Sequence, residues 1–364
     1  MKNTFGQSVS VTLFGESHGE AVGAVIDGLA PGIDVDIEFI KLQLNKRRPS
    51  GKTDTPRVEN DNFQILSGVF NGKTTGTPIA IVIPNENTKS KDYNYGLARP
   101  SHADYTAYAK YHGYEDFRGG GHFSGRVTAG LVAVGAIAIS ALKGLGINIG
   151  THILRCGNAL DRAFDDVEKD VLAIQGKDFP VLSDVLDAMT EEICKARESK
   201  DSVGGILQTA ITGMPQGVGE PWFDTVEGVL SHALFSIGGI KGVEFGAGFG
   251  FATMLGSEGN DAFQYQNGKA VTRTNNNGGI NGGITNGMPI IFNCAVKPTP
   301  SIAREQDSIN FISGVNEKIE IKGRHDPAII RRACVVVDSV CALTVCDLLA
   351  QRYGTDIFLK GFEK

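Results

Sequence analysis

Residues 118–144 read RGGGHFSGRVTAGLVAVGAIAISALKG, and the change of character inside that stretch decides the fold. A loop of glycine, histidine and arginine runs straight into a largely apolar run of 16 residues, 127–142, closed by Lys143. That run is short for a membrane span, which needs about 20 residues. It predicts a buried helix from about residue 124 to 143, with Ser124 or Thr128 as its cap. Its alanines and glycines let a neighbour pack closely. The loop also brings free backbone N–H groups to a helix N-terminus, where a phosphate is favoured. A plain structural turn is the competing reading.

The arrangement recurs. GRHDPAIIRR, residues 323–332, enters a second apolar helix predicted over 327–353, with Pro327 in its first turn. This echo is compatible with an internal duplication, although the two loops align poorly residue by residue. Working outward, residues 8–14 and 21–26 read as strands around a glycine-rich turn. Residues 35–46 read as a helix capped by Asp34. Further strands are expected at 78–83, 147–154, 205–211 and 289–296, and further helices at 103–111, 184–197 and 225–237. Between 238 and 287 glycine recurs too often for a regular element to be assigned. No Pro/Ser-rich linker or charge block divides the chain, so a single domain over 1–364 is expected.

The 364 residues carry 35 basic and 41 acidic side chains, a formal charge of −6. An acidic balance argues against nucleic-acid and anionic-membrane partners, which select basic surfaces. The 47 glycines stand where average usage gives about 25, which points to tight loops and close backbone approaches. Residues 1–20 lack the apolar core of a signal peptide. The six cysteines form no CxxC pair and read as buried, reduced thiols of a cytoplasmic protein.

Chemistry concentrates in loops. His18, His102, His122 and His325 lie in FGESHGE, ARPSHADYT, RGGGHFSGR and KGRHDP, and histidine both gives and takes a proton near neutrality. Arg47, Arg48, Arg99, Arg118, Arg126 and Arg324 flank the same kinds of segment. Guanidinium forks match phosphate and carboxylate oxygens, so the implied ligand is small and carries more than one acidic group.

Familiar motifs fail. GKT at 51–53 would need glycine at position 46 for a P-loop, where Lys46 stands, and GKT at 72–74 would need it at Ser67. GAGFG at 246–250 lacks the dinucleotide-binding spacing. No cluster has zinc-ligand spacing, and no metal is expected. GESHG at 15–19 fits GxSxG, the nucleophile elbow of a serine hydrolase built on Ser17, but the following residues read as a strand where a helix is required.

Taken in order, GESHG, RPSHADYT, RGGGHFSGRVTAG, EPWFD (220–224), SIGGIKGVEFG (236–246), NNNGGINGGITNG (275–287), KPTPSI (297–302) and GRHDP closely resemble the chorismate synthase family over nearly the whole chain. The resemblance implies an α+β fold, a β-α-β sandwich with helices packed between two antiparallel sheets, assembled as a homotetramer. It implies a 1,4-anti elimination of phosphate from 5-enolpyruvylshikimate 3-phosphate to give chorismate, with reduced FMN and no net redox change. By the same matching His18 is the general acid at the departing phosphate. His102 balances charge beside the reduced flavin, and Asp326 relays the ring proton through flavin nitrogen-5. Substrate anions fall to Ser17, Arg47 or Arg48, Arg126 and Arg324. FMN contacts fall to His122, Phe123 and Ser124, to Gly238, Gly239 and Gly282, to Lys297, Pro298, Thr299, Pro300 and Ser301, and to Arg324.

Two departures stand out. Some members carry Arg-Ser-Ser where this chain has His122, Phe123 and Ser124. Some also carry a second arginine, tied to NADPH binding, where this chain has Lys52 and Thr53. That leaves Arg47 as the NADP-side residue and implies a monofunctional enzyme fed by an external flavin reductase. The alternatives are the serine hydrolase on Ser17 and a non-catalytic flavin- or phosphate-binding module.

Overall fold

The computed structural model describes residues 2–49, 54, 60–86, 94–321 and 326–362. Gly51, Lys52, Thr53, Arg324 and His325 lie outside the described residues. The fold is α+β. One five-stranded antiparallel sheet orders Thr4–Phe5, Ser10–Gly15, Ala21–Asp27, Ile79–Pro84 and Gln64–Ile65. The other orders Ile240–Phe245, Ile290–Val296, Gly205–Thr212, Asn148–Cys156 and Ala159–Leu160, again antiparallel throughout. Alternation sets the inner faces: Ile79, Ile81 and Ile83 are buried from one strand, and Ile290, Phe292, Cys294 and Val296 from another.

The helix Thr128–Gly144 packs on the first sheet, the helix Ile330–Tyr353 packs on the second, and the two helices pack on each other. Both are apolar around nearly their whole circumference, which only a buried position accommodates. Full burial of side chains such as Ile137, Leu142 and Phe292 contributes about 1.5–3 kcal/mol each. The helices come into close contact at Gly135, where a Cβ would stand 2.4 Å from Cβ of Ser339. Counted with the turn before it, Gly125–Gly144 is long and apolar enough to cross a membrane, as is Ile330–Tyr353, but 72% and 94% of their most apolar windows are buried inside the fold.

Several local expectations are corrected. The 37–47 helix is capped by Asp36, whose carboxylate accepts from the Phe39 N–H; Asp34 instead pairs with Lys73 at 2.6 Å. Ser124 caps a single tight turn, Gly125–Val127, and the long helix begins behind it at Thr128. The last helix starts at Ile330, three residues after Pro327, whose carbonyl is taken by the Val203 N–H. The glycine-rich 238–287 stretch does hold regular structure: the edge strand Ile240–Phe245 and two short hairpins. The helix Val167–Gln175 and the hairpin Gln306–Asn310 with Val315–Ile319 were not expected.

Candidate active site

The glycine triplet lies across the GESHG turn. Ser17 N–H donates to Gly121 O at 3.0 Å, and His122 Nδ1 donates to Gly15 O at 2.8 Å. Gly119, Gly120 and Gly121 all have left-handed φ, at +63°, +82° and +54°. This backbone runs between two imidazoles. A Cβ at Gly119 would stand 2.4 Å from Cδ2 of His18 and 2.9 Å from Oγ of Ser17. A Cβ at Gly120 would stand 3.4 Å from Cε1 of His102.

His102 is oriented by its own loop. Its Nδ1 donates to Asp104 Oδ1 at 2.9 Å, which leaves Nε2 on the glycine side. Arg99 grips the same carboxylate with Nε and NH2, at 2.8 and 2.6 Å. Burial works against ionising Asp104, yet the hydrogen bonds from Arg99 and His102 outweigh it and hold the carboxyl well below its usual range.

The arginines gather on one buried carboxylate. Arg47 NH2 reaches Asp61 Oδ2 at 3.0 Å, Arg126 NH1 pairs with Asp61 Oδ1, and Arg48 Nε stands 3.5 Å from Oδ2. Arg126 also donates to Asn85 Oδ1 and to Pro84 O. Desolvation would raise the Asp61 carboxyl, but Arg47 and Arg126 hold it down. Arg331 donates to Lys46 O and Arg48 O and pairs with Asp54, so it clamps the end of the 37–47 helix that carries Arg47.

The opposite wall comes from the second half of the chain. Lys297 N–H donates to Gly239 O at 2.9 Å and its Nζ donates to Ser101 O at 2.6 Å, joining that wall to the His102 loop. Burial, with Lys241 nearby, lowers the Lys297 ammonium. Asp326 Oδ2 is paired with Arg332. Asp326 Oδ1, Arg332 Nε and Thr299 Oγ1 are buried with no hydrogen-bond partner among the described residues.

These walls enclose a cavity of about 850 Å³, floored by apolar side chains such as Leu13, Leu131, Val336 and Leu343. It brings together Arg47, His102, His122, Phe123, Ser124 and Arg126 with Gly238, Gly239, Lys297, Pro298, Thr299, Pro300 and Asp326. Ser17 and His18 sit behind Gly119 and are buried. Ser17, His18, Arg48, Ser301 and Gly282 do not line the cavity; Gly282 lies at the turn between Ile280–Asn281 and Ile284–Thr285. Arg332 and His232 line it and were not expected to. Arg332 had a readable signal, an arginine one helical turn into the segment that follows GRHDP. His232 had none beyond its place on an apolar helix, where its ring meets Phe5 edge-on.

The serine hydrolase reading fails on geometry. Ser17 is followed by the strand Ala21–Asp27, so no helix N-terminus stands behind it, and its hydroxyl is covered by Gly119.

A family model described as chorismate synthase matches residues 9–350. The chorismate synthase of Lachnoclostridium phytofermentans is 46% identical over 351 residues, covering 95% of each chain. That of Thermococcus gammatolerans is 44% identical over 349 residues, covering 95% of this chain and 97% of that one. A solved structure described as a crystal structure of chorismate synthase matches with a TM-score of 0.74 at 27% identity, over 96% of this chain and 93% of the other.

Proposed function

We infer what the cavity does from one premise: the chain belongs to the chorismate synthase family. Its reaction is the 1,4-anti elimination of phosphate from 5-enolpyruvylshikimate 3-phosphate, which yields chorismate. The observation that carries the finer reading is the arrangement of one cavity between two walls. Arg47 and Arg126 stand on one side with His102 and His122, Asp326 and Lys297 stand on the other, and His18 lies against Gly119 of the glycine triplet.

The substrate carries a phosphate and two carboxylates, which suits a wall of guanidinium groups. An anti elimination removes phosphate and hydrogen from opposite faces of the ring, so acid and base must flank it. His18 is read as the acid that meets the departing phosphate. Asp326 is read as the acceptor on the other side, through the oxygen that Arg332 leaves open.

The cavity also suits reduced FMN. Its volume lies in the range of cofactor sites, and it presents the unpartnered Thr299 hydroxyl beside Gly238, Gly239, Pro298 and Pro300. Reduced FMN, when bound, supplies an electron-rich ring that stabilises charge developing on the substrate ring. Lys297, Thr299, Ser124 and His122 would hold it, and His102, pinned by Asp104, would set the field beside it. Ser301 and Arg324, which match family positions in sequence, would add to these contacts.

Other parts of the reading extend beyond the cavity. The layers correspond to a β-α-β sandwich, and each half ending in a long apolar helix supports a duplication. One apolar core shared by both sheets supports a single domain over 1–364. Exposed Phe249, Leu255, Phe263 and Tyr265 support assembly into a homotetramer, through which Gly282 would reach a neighbouring site. Five buried cysteines and no disulfide among the described residues support a cytoplasmic location.

Anaerobic incubation with dithionite-reduced FMN and 5-enolpyruvylshikimate 3-phosphate tests the whole reading. Equal amounts of chorismate and phosphate are expected. Tight FMN binding without phosphate release would replace it with the non-catalytic module.

A further inference from the structure

Resting on that reading, we propose that Asp61 is a positioning residue for substrate: it holds Arg47 and Arg126 in register behind the anion-binding wall. Three observations carry this. Arg47 and Arg126 both line the cavity, whereas Asp61 does not. Asp61 therefore stands behind the guanidinium groups and does not compete with a ligand in front of them. Its side chain is fully enclosed, at 0% exposure, and the Arg47 and Arg126 side chains are each only 5% exposed.

Two guanidinium groups this close and this dry repel each other unless an anion lies between them. Asp61 splits its carboxylate, with Oδ2 to Arg47 and Oδ1 to Arg126, so each oxygen fixes one arginine. Arg48 approaches Oδ2 from outside the cavity wall. The backbone accepts strain to place the group: Asp61 has φ +47°, a left-handed conformation that side chains other than glycine seldom adopt. The two arginines come from different elements, the end of the 37–47 helix and the tight turn before the 128–144 helix. Among the described residues, Asp61 touches both.

The role predicts a split between ligands. Asp61→Asn keeps the shape but removes the charge that holds the arginines. The KM for 5-enolpyruvylshikimate 3-phosphate should rise about tenfold or more, as expected for lost charge-assisted bonds. The Kd for FMN, read by flavin fluorescence, should stay within about twofold, because Asp61 bonds the guanidinium groups of Arg47 and Arg126, while Lys297 and Thr299 among the proposed FMN contacts lie on the opposite wall. Asp61→Glu restores the charge one methylene out of place and should recover part of the loss. Should Asp61→Asn not fold, Asp61→Glu decides by itself: a raised KM with unchanged FMN affinity supports the role.

Calorimetric titration of the FMN-loaded protein with shikimate 3-phosphate gives a readout independent of turnover, and its Kd should rise with KM. An unchanged KM and Kd in the variants would remove the role. A parallel loss of FMN affinity and substrate affinity would also remove it, as mere structural damage. A wild-type protein that neither binds shikimate 3-phosphate nor makes chorismate would sink the functional reading, and this role with it. Active wild type with indifferent variants sinks the role alone.

Discussion

Gly119 and His18 occupy a contact with no room for a methyl group, since a Cβ at 119 would stand 2.4 Å from the imidazole Cδ2. The φ of +63° at Gly119 adds a second objection to any side chain. Gly119→Ala should therefore displace His18 and lower kcat by about 10²-fold or more, the order expected for a misplaced proton donor. Stopped-flow measurement of phosphate release checks this. A rate within twofold of wild type would show that Gly119 does not set the position of His18.

The two histidines should act separately from folding. His18→Ala and His102→Ala are each expected to keep the circular dichroism spectrum and lose about 10²–10⁴-fold in turnover. Near-normal turnover in either variant removes the proton or charge role assigned to that ring.

Asp338 offers a test in pH. Loss of hydration pushes its carboxyl up to about 6, against the Thr151 hydrogen bond and the attraction of Lys46 and Lys143. The folded state thus holds the proton more tightly than the unfolded state, whose carboxyl titrates near 3.8. The stabilisation tied to that proton is complete below 3.8 and is lost as pH rises through about 6. Asp338→Asn removes the penalty and should stabilise the protein by about 1–3 kcal/mol at pH 8, with little gain at pH 4. Denaturant melts at the two pH values give the answer, and an equal effect at both would count against it.

Flavin supply is the fourth test. With Lys52 and Thr53 where some relatives carry a second arginine, the purified protein should not turn over in air on NADPH and FMN alone. Addition of a separate flavin reductase under reducing conditions should restore activity. Aerobic turnover without the reductase would establish an internal one.

The long elements were legible because their physics is local. Residues 127–142 and 330–353 are too apolar to face water, and short continuous apolar runs such as Ile79–Ile83 read as strands, whose alternation shows only in burial. The loops were legible as chemistry because glycine, histidine and arginine cluster there. What escaped depends on pairings distant in sequence. Asp61 looks like an ordinary polar loop residue until two arginines from elsewhere in the chain converge on it. Asp34 and Asp36 both precede the helix, and a backbone bridge to Lys73 holds Asp34 in extended structure, which leaves Asp36 to cap it. The strand Ile240–Phe245 was hidden by the glycines around and within it, and its pairing with Ile290–Val296, through a bulge beside Gly242, is what makes it a strand.

The contact between Gly135 and Ser339 has a reach well beyond the core. Arg126 is tied to the first sheet through Pro84 O, and Asp326 is tied through Arg332 to the helix on the second, so the spacing of the helix pair works as a calliper on that part of the cleft. A single methyl at position 135 would open that calliper with every loop sequence left intact. The gauge of the cleft is thus set some distance from any atom that meets the substrate.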